Sequence, residues 1–195
     1  MISSGSGLWF LLVGYFLLAL FVMIERSLRK TANSKTLQRG NNDRGSTLLI
    51  GSAFGAGLLL PLVINIVGVG LFPIDPVEGL LALAVMMIGI GLRVWAAKTL
   101  GRYYTRTLLT TTEQRVVKVG PYTRIRHPGY LGDILLWSAF GVLSSNLIIV
   151  FLFQVMFAAV YLYRIRVEER MLVQELGDEY IQYRRGTYKL VPFVY

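Results

Sequence analysis

Apolar positions in this chain fall in long uncharged runs, not in the spaced stripes of a soluble amphipathic helix. Residues 8–24 form the first run, about 25 Å long as a helix and enough to cross the hydrocarbon core of a bilayer. No basic segment precedes it and no clear small-residue cleavage site follows, so it is expected to stay as an anchor and not to be removed as a signal peptide. A second run covers residues 47–72. Pro73 and Pro76 then punctuate a short acidic turn with Asp75 and Glu78, and residues 79–97 supply a third run with Arg93 near its end. Residues 134–163 are uncharged throughout, about 45 Å of helix, long for one tilted span and short for two.

The distribution of cations decides how that last run folds, because Lys and Arg collect beside the cytoplasmic ends of spans. Residues 25–46 hold six of the twenty basic residues, residues 98–133 hold seven, and the tail from Arg164 holds six. The N-terminus, the 73–78 turn and Ser144–Asn146 hold none. A single span over 134–163 would strand six cations outside; a tight hairpin at Ser144–Asn146 strands none. The expectation is an all-α integral membrane protein, one membrane domain over 1–195, with five transmembrane helices at about 8–24, 47–72, 79–97, 130–143 and 147–172. Its N-terminus lies outside and its C-terminus is cytoplasmic. Glycines in the second and third spans suit close helix packing. Asn65 and Gln154, deep in their spans, are expected to make interhelical hydrogen bonds.

Composition agrees with a bilayer setting. Charged residues are 16% of the chain against roughly 25% in soluble domains, and mean hydropathy is +0.56. Cysteine is absent, which removes disulfides, thiolate metal sites and thiol nucleophiles, and the single histidine excludes a multi-histidine metal site. The net charge of +9 would raise nucleic acid as a partner of a soluble protein; here membrane lipids account for it, and neither nucleic acid nor metal is expected.

The five-helix topology brings the polar chemistry to one face, in the cytoplasmic segments 98–133 and 164–195. The first ends in G-P-Y-T-R-I-R-H-P-G-Y, residues 120–130, and the second begins R-I-R-V-E-E-R. Each feature has a plain structural reading. Arg164 and Glu168, four apart, support a helix; Leu172, Leu176, Tyr180 and Tyr183 fall at helical spacing, the first three reading as a packing stripe; Tyr183 and Lys189 suit a lipid interface; and Arg93, close to Lys98, is expected to snorkel to the cytoplasmic interface.

Taken together, G-x-Y-x-x-x-R-H-P-x-Y, then R-x-x-x-E-E, then G-D-E-Y-x-x-Y with a closing hydrophobic-Pro closely resemble the isoprenylcysteine carboxyl methyltransferase family of membrane enzymes, over residues 107–193. Phospholipid methyltransferases and sterol reductases have related tails. The resemblance implies an S-adenosylmethionine-dependent carboxyl O-methyltransferase acting on an isoprenylated (prenyl) cysteine, with S-adenosylhomocysteine as product, and a lipid methyltransferase as the alternative. It implies a non-Rossmann cofactor site on the cytoplasmic side, contributed by Gln114, Arg115, Val116, Val117, Tyr122, His127, Pro128, Gly129, Tyr130 and Glu168. Arg164 falls where an arginine meets the substrate. Glu168 suits the cofactor ammonium, His127 or a loop amide its carboxylate, and Tyr122, Tyr130 and Leu172 can wall the remainder. A transporter would carry midplane ionisable groups or an internal repeat, and neither is found; a nonenzymatic membrane scaffold is the other alternative.

Overall fold

The computed structural model describes residues 5–31, 44–101 and 116–192. They form five helices: α1 (Gly5–Thr31), α2 (Ser46–Val67), α3 (Pro76–Leu100), α4 (Pro128–Leu143) and α5 (Leu147–Arg185), with a 3-10 turn at Gly120–Thr123 ahead of α4. Among the described residues there is no strand, only two isolated bridges. Four helices, α1, α2, α3 and α5, are long and apolar enough to cross a membrane; α4 is a shorter apolar helix of 16 residues. Large apolar side chains point outward along them, with Ile66 85% and Phe151 73% exposed, as a lipid-facing surface requires.

Helix ends depart from the hydropathy runs where local chemistry intervenes. α2 stops at Val67 because Gly68, at φ 76°, closes it in the left-handed conformation with its N–H on the Ile64 carbonyl. α3 starts early, at Pro76, because Asp75 accepts from the amides of Val77 (2.7 Å) and Glu78 (2.9 Å) while Glu78 accepts from the Asp75 amide, a complete capping box. α5 continues past residue 172 to Arg185, but it breaks at Gly177, whose φ of 53° and ψ of −129° no helix contains. Leu172 and Leu176 therefore stand on a different leg from Tyr180 and Tyr183, and the stripe read as one helical face is two.

Lipid is as apolar as leucine, so helices here associate through close packing and not through expulsion of water. Between α3 and α4 the approach is backbone to backbone. A Cβ on Gly89 would lie 2.6 Å from the Gly132 carbonyl, and one on Gly132 would lie 2.6 Å from the Gly89 carbonyl. Gly57 makes the same allowance for the Trp137 ring on α4. Trp137 in turn stacks on Phe157 of α5 at 4.6 Å between centroids.

Two connections meet at one end of the bundle. The Phe72 amide donates to the Ser145 carbonyl (3.0 Å) and the Leu147 amide to Gly70 (2.9 Å), while the Asn146 side chain caps α5 and donates to Asn65 and Val69. Asn65 also donates to the Ser144 carbonyl, and Ser138 on α4 donates to Gln154 on α5 at 2.9 Å, so both deep amides are spent on contacts between elements. The starts of α2 and α4 and the middle of α5 meet at the opposite end.

Candidate active site

At that end the chain enters α4 through a shaped loop. Tyr122 is buried in the 3-10 turn, His127 sits at the N-cap, and Pro128 occupies the first helical position, where its missing N–H costs nothing. The C-terminal segment stitches this loop down. Arg126 and His127 donate their amides to the carbonyls of Tyr188 (2.8 Å) and Lys189 (3.2 Å), and the Tyr188 amide donates to Arg124 (2.9 Å). The Tyr183 hydroxyl donates to the Tyr122 carbonyl at 2.7 Å, and burial pushes that phenol up to about 12, so it stays a donor. Tyr183 is therefore a buried brace and not a lipid-interface residue; Tyr180 is buried beside it.

Tyr130, one turn into α4, faces α5. Its hydroxyl donates to Glu168 Oε2 at 2.5 Å and accepts from Arg164 Nε at 3.2 Å, so a single oxygen joins the two residues that stand four apart on α5. Arg164 is 2% exposed and also donates through Nη1 to Ser46 Oγ (2.6 Å) and Thr47 Oγ1 (3.2 Å) at the start of α2. The His127 ring stacks on Tyr130 at 5.5 Å with planes 7° apart, placing Nδ1 4.0 Å from Glu168 and Nε2 3.3 Å from Glu169.

The two adjacent carboxylates differ in what they can still do. Glu169 is buried and receives Arg126 Nε at 2.8 Å as well as the His127 ring. Glu169 lies beyond the apolar run, which ends at Tyr163. Burial alone would raise its pKa, but hydrogen bonds and charge from His127 and Arg126 outweigh that and hold it at about 2. Glu168 keeps 23% of its side chain accessible, so it is the carboxylate of the pair that can meet a cation from outside. Arg126 also donates to the carbonyls of Arg184 and Thr187, which locks the loop to the end of α5.

Toward the bundle interior a second cluster backs this one. Arg93 on α3 pairs with Glu25 of α1 at 2.9 Å and Asp133 of α4 at 3.3 Å, and Asp133 accepts from the Tyr161 hydroxyl at 2.7 Å. This corrects the snorkelling expected for Arg93: a guanidinium among two carboxylates is stabilised inside the bundle. Its head lies 5.9 Å from the Tyr130 ring centre and against Gly129, where a Cβ would meet Nη1 at 2.9 Å.

Tyr122, His127, Pro128, Gly129, Tyr130, Arg164 and Glu168 thus converge on one region. Val116 and Val117 are half-buried on the approach to the 3-10 turn, and Gln114 and Arg115 lie outside the described residues. Reading the sequence missed Glu169, Arg126, Glu25 and Asp133. The E-E doublet and the arginine of R-H-P were the available signals for the first two.

An accessible carboxylate beside a histidine, with aromatic rings and a buried arginine within one hydrogen-bond network, suits a ligand carrying both an ammonium and a carboxylate next to an apolar body. A family profile, several relatives and a solved structure agree on one group. The isoprenylcysteine carboxyl methyltransferase (ICMT) family profile matches residues 81–174. Protein-S-isoprenylcysteine O-methyltransferase A of Arabidopsis thaliana is 30% identical over 170 residues, covering 82% of this chain and 83% of its own. Protein-S-isoprenylcysteine O-methyltransferase B of the same plant is 31% identical over 160 residues, covering 76% and 78%. A solved structure of a eukaryotic intramembrane Ras methyltransferase, ICMT, superposes with a TM-score of 0.71 at 18% identity, covering 99% of this chain and 70% of that one, a likeness of fold.

Proposed function

The chain belongs to the isoprenylcysteine carboxyl methyltransferase family, and on that premise we propose that it is a multi-pass membrane enzyme that methylates the C-terminal carboxylate of an isoprenylated cysteine. The observation that carries the reading is the 30% identity, over most of both chains, to a protein-S-isoprenylcysteine O-methyltransferase. The site geometry is consistent with it. In this reading the methyl donor is S-adenosylmethionine, which supplies an electrophilic methyl on its sulfonium. Glu168, the accessible carboxylate, takes the donor's ammonium. His127 holds Glu168 and Glu169 in place, leaving the donor's carboxylate to a loop amide, and Tyr122, Pro128, Gly129, Tyr130 and residues 114–117 wall the cofactor. Leu172 can extend that wall.

The acceptor carboxylate is ionised at neutral pH, so no general base is needed. An oxygen lone pair forms the O–CH3 bond as the S–CH3 bond breaks, and its electrons return to sulfur. The protein contributes alignment and exclusion of water. Arg164 orients the acceptor carboxylate, and a prenyl tail enters from the bilayer. All five helices cross the membrane, α4 and α5 as a tight hairpin, with the N-terminus outside and the site on the cytoplasmic side. The joined, cation-free turns at 68–75 and 144–146 support that orientation.

The deciding experiment is methyl transfer by the purified protein to an S-farnesyl cysteine derivative, a phosphatidylethanolamine and a small thiol in parallel. Labelling of the farnesyl cysteine alone is expected; labelling of the phospholipid alone would move the acceptor to a lipid headgroup.

A further inference from the structure

A cavity of about 480 Å³, lined by neither Arg164 nor Glu168, opens beside α5. Arg44, Arg166, Arg170, Arg184 and Lys189 line it with a single carboxylate, Glu169, which is already held by Arg126. The side chains of Arg44, Arg166 and Arg170 have no hydrogen-bond or ion-pair partner among the described residues. Arg166 and Arg170 stand four apart on one helix face, a like-charge pair that disfavours the helix unless an anion sits between them. Arg44 is held in an unusual backbone state, φ 46°, with its carbonyl accepting from the Tyr163 hydroxyl at 3.0 Å. A non-glycine residue kept there is positioned by its surroundings.

Depth selects the class of anion. Tyr163 closes the apolar run of α5, and Arg166 and Arg170 follow it by three and seven residues, roughly 4.5 and 10 Å along the axis. The headgroup zone of one leaflet is about 5–8 Å thick. Arg166 therefore stands at the level of lipid phosphates and Arg170 at the outer edge of that zone, its side chain slanting back toward the helix N-terminus, and Val167, Met171 and Val173 give the cavity an apolar wall of the kind a glycerol backbone contacts.

We infer that this cavity binds the phosphodiester headgroup of an anionic phospholipid, beside the proposed methyl-transfer site but without sharing Arg164 or Glu168. The guanidiniums of Arg166 and Arg170 grip the phosphate oxygens, and Arg44 closes the site from the start of α2. The lipid thereby bridges α2 and α5, which Arg164 with Ser46 and Thr47, and Tyr163 with Arg44, already tie at this end.

The test is thermal unfolding of the full chain in a neutral detergent, titrated with phosphatidylglycerol, phosphatidylcholine, inorganic phosphate or an oligoglutamate peptide. Phosphatidylglycerol should raise Tm in a saturable way and the other three should not. The double variant Arg166→Gln/Arg170→Gln should weaken the phosphatidylglycerol response about 25-fold, roughly fivefold per arginine. Arg185→Gln, an exposed cation outside the cavity, should leave it unchanged. All three arginines are exposed, so the variants are expected to fold, and their Tm without lipid checks it. An unchanged response in the double variant, or an equal loss in Arg185→Gln, overturns the site. A matching shift with phosphatidylcholine, phosphate or oligoglutamate overturns the anionic-lipid assignment, in favour of general lipid solvation, a free-phosphate site or an acidic-peptide site respectively.

Discussion

The Tyr130 hydroxyl lies 2.5 Å from Glu168 and 3.2 Å from Arg164, so one phenol on α4 connects the proposed cofactor and acceptor contacts on α5. It donates to the carboxylate and accepts from the guanidinium, which fixes both side chains before any ligand arrives. Glu168→Gln keeps the shape and removes the charge, and should weaken S-adenosylhomocysteine binding about ten- to a hundredfold, the equivalent of a charge-assisted hydrogen bond of roughly 1.5–3 kcal/mol. Tyr130→Phe should give a smaller loss, about tenfold, because Glu168 keeps its charge and loses only its orientation. Calorimetry on both folded variants measures this, and unchanged affinity in Glu168→Gln would return Glu168 to a structural role.

Arg93 gives a stability prediction. It is shared by Glu25 and Asp133, and removing a guanidinium from between two buried carboxylates leaves them facing each other without compensation. Arg93→Ala should cost about 3–5 kcal/mol, the usual penalty for breaking a buried pair. Arg93→Lys, which keeps charge but cannot fork to two partners, should recover part of it. Thermal unfolding in detergent reads the order wild type, lysine, alanine; an alanine variant as stable as the wild type would mean that the cluster is already relaxed by water.

Much of this cluster was not readable in the sequence, for a physical reason. The Arg93 to Glu25 pair joins α3 to α1 across 68 residues, and no local spacing encodes which buried charge meets which. The helices themselves were legible, since hydropathy reports burial in lipid directly, and the motif residues from Tyr122 to Tyr130 lie together where the chain enters α4. The ends of helices depended on single residues whose effect is conformational: Gly68 stops α2 inside an apolar run, and Gly177 breaks α5 inside a polar one that keeps good helical composition on both sides. The family resemblance singled out Glu168, four residues after Arg164, whereas Glu169 serves the loop on the neighbouring face.

Glu169 predicts a pH dependence. Its folded pKa, about 2, lies below the ordinary 4.5, so the stability it contributes is fully present above pH 4.5 and is lost as pH falls through 2. Glu169→Gln lacks that contribution at every pH. The Tm gap between wild type and variant, measured in detergent, should therefore be widest at pH 5 and above and shrink steadily toward pH 2. A gap that stays constant over that window would show that the Arg126 and His127 contacts do not stabilise the ionised form.

Topology predicts a labelling pattern. Val69 is 56% exposed in the turn between α2 and α3, whereas Gly186 follows α5 at the end that carries the site. A cysteine at position 69 should react with an impermeant reagent added outside intact cells, and one at position 186 only after the membrane is opened. Reaction of both from outside would contradict the proposed orientation.

Arg164 separates two readings of the site most sharply. Its burial and its bonds to Ser46, Thr47 and Tyr130 suit a structural brace, while its place one turn before Glu168 suits an arginine that meets the acceptor carboxylate as the cofactor ammonium meets Glu168. If it orients the acceptor, Arg164→Ala should abolish most turnover with a prenylcysteine while S-adenosylhomocysteine affinity stays within a fewfold, because alignment is lost and the cofactor pocket is not. Arg164→Lys should then remain poorly active, since a point charge cannot hold one carboxylate oxygen while keeping Tyr130 and Ser46 in register. If Arg164 only braces, cofactor affinity and activity should fall together in the alanine variant, through the shared Tyr130 hydroxyl, and lysine should rescue most of both. Parallel loss with lysine rescue would remove Arg164 from the acceptor site and leave Tyr130 and Glu168 as the groups whose geometry it maintains.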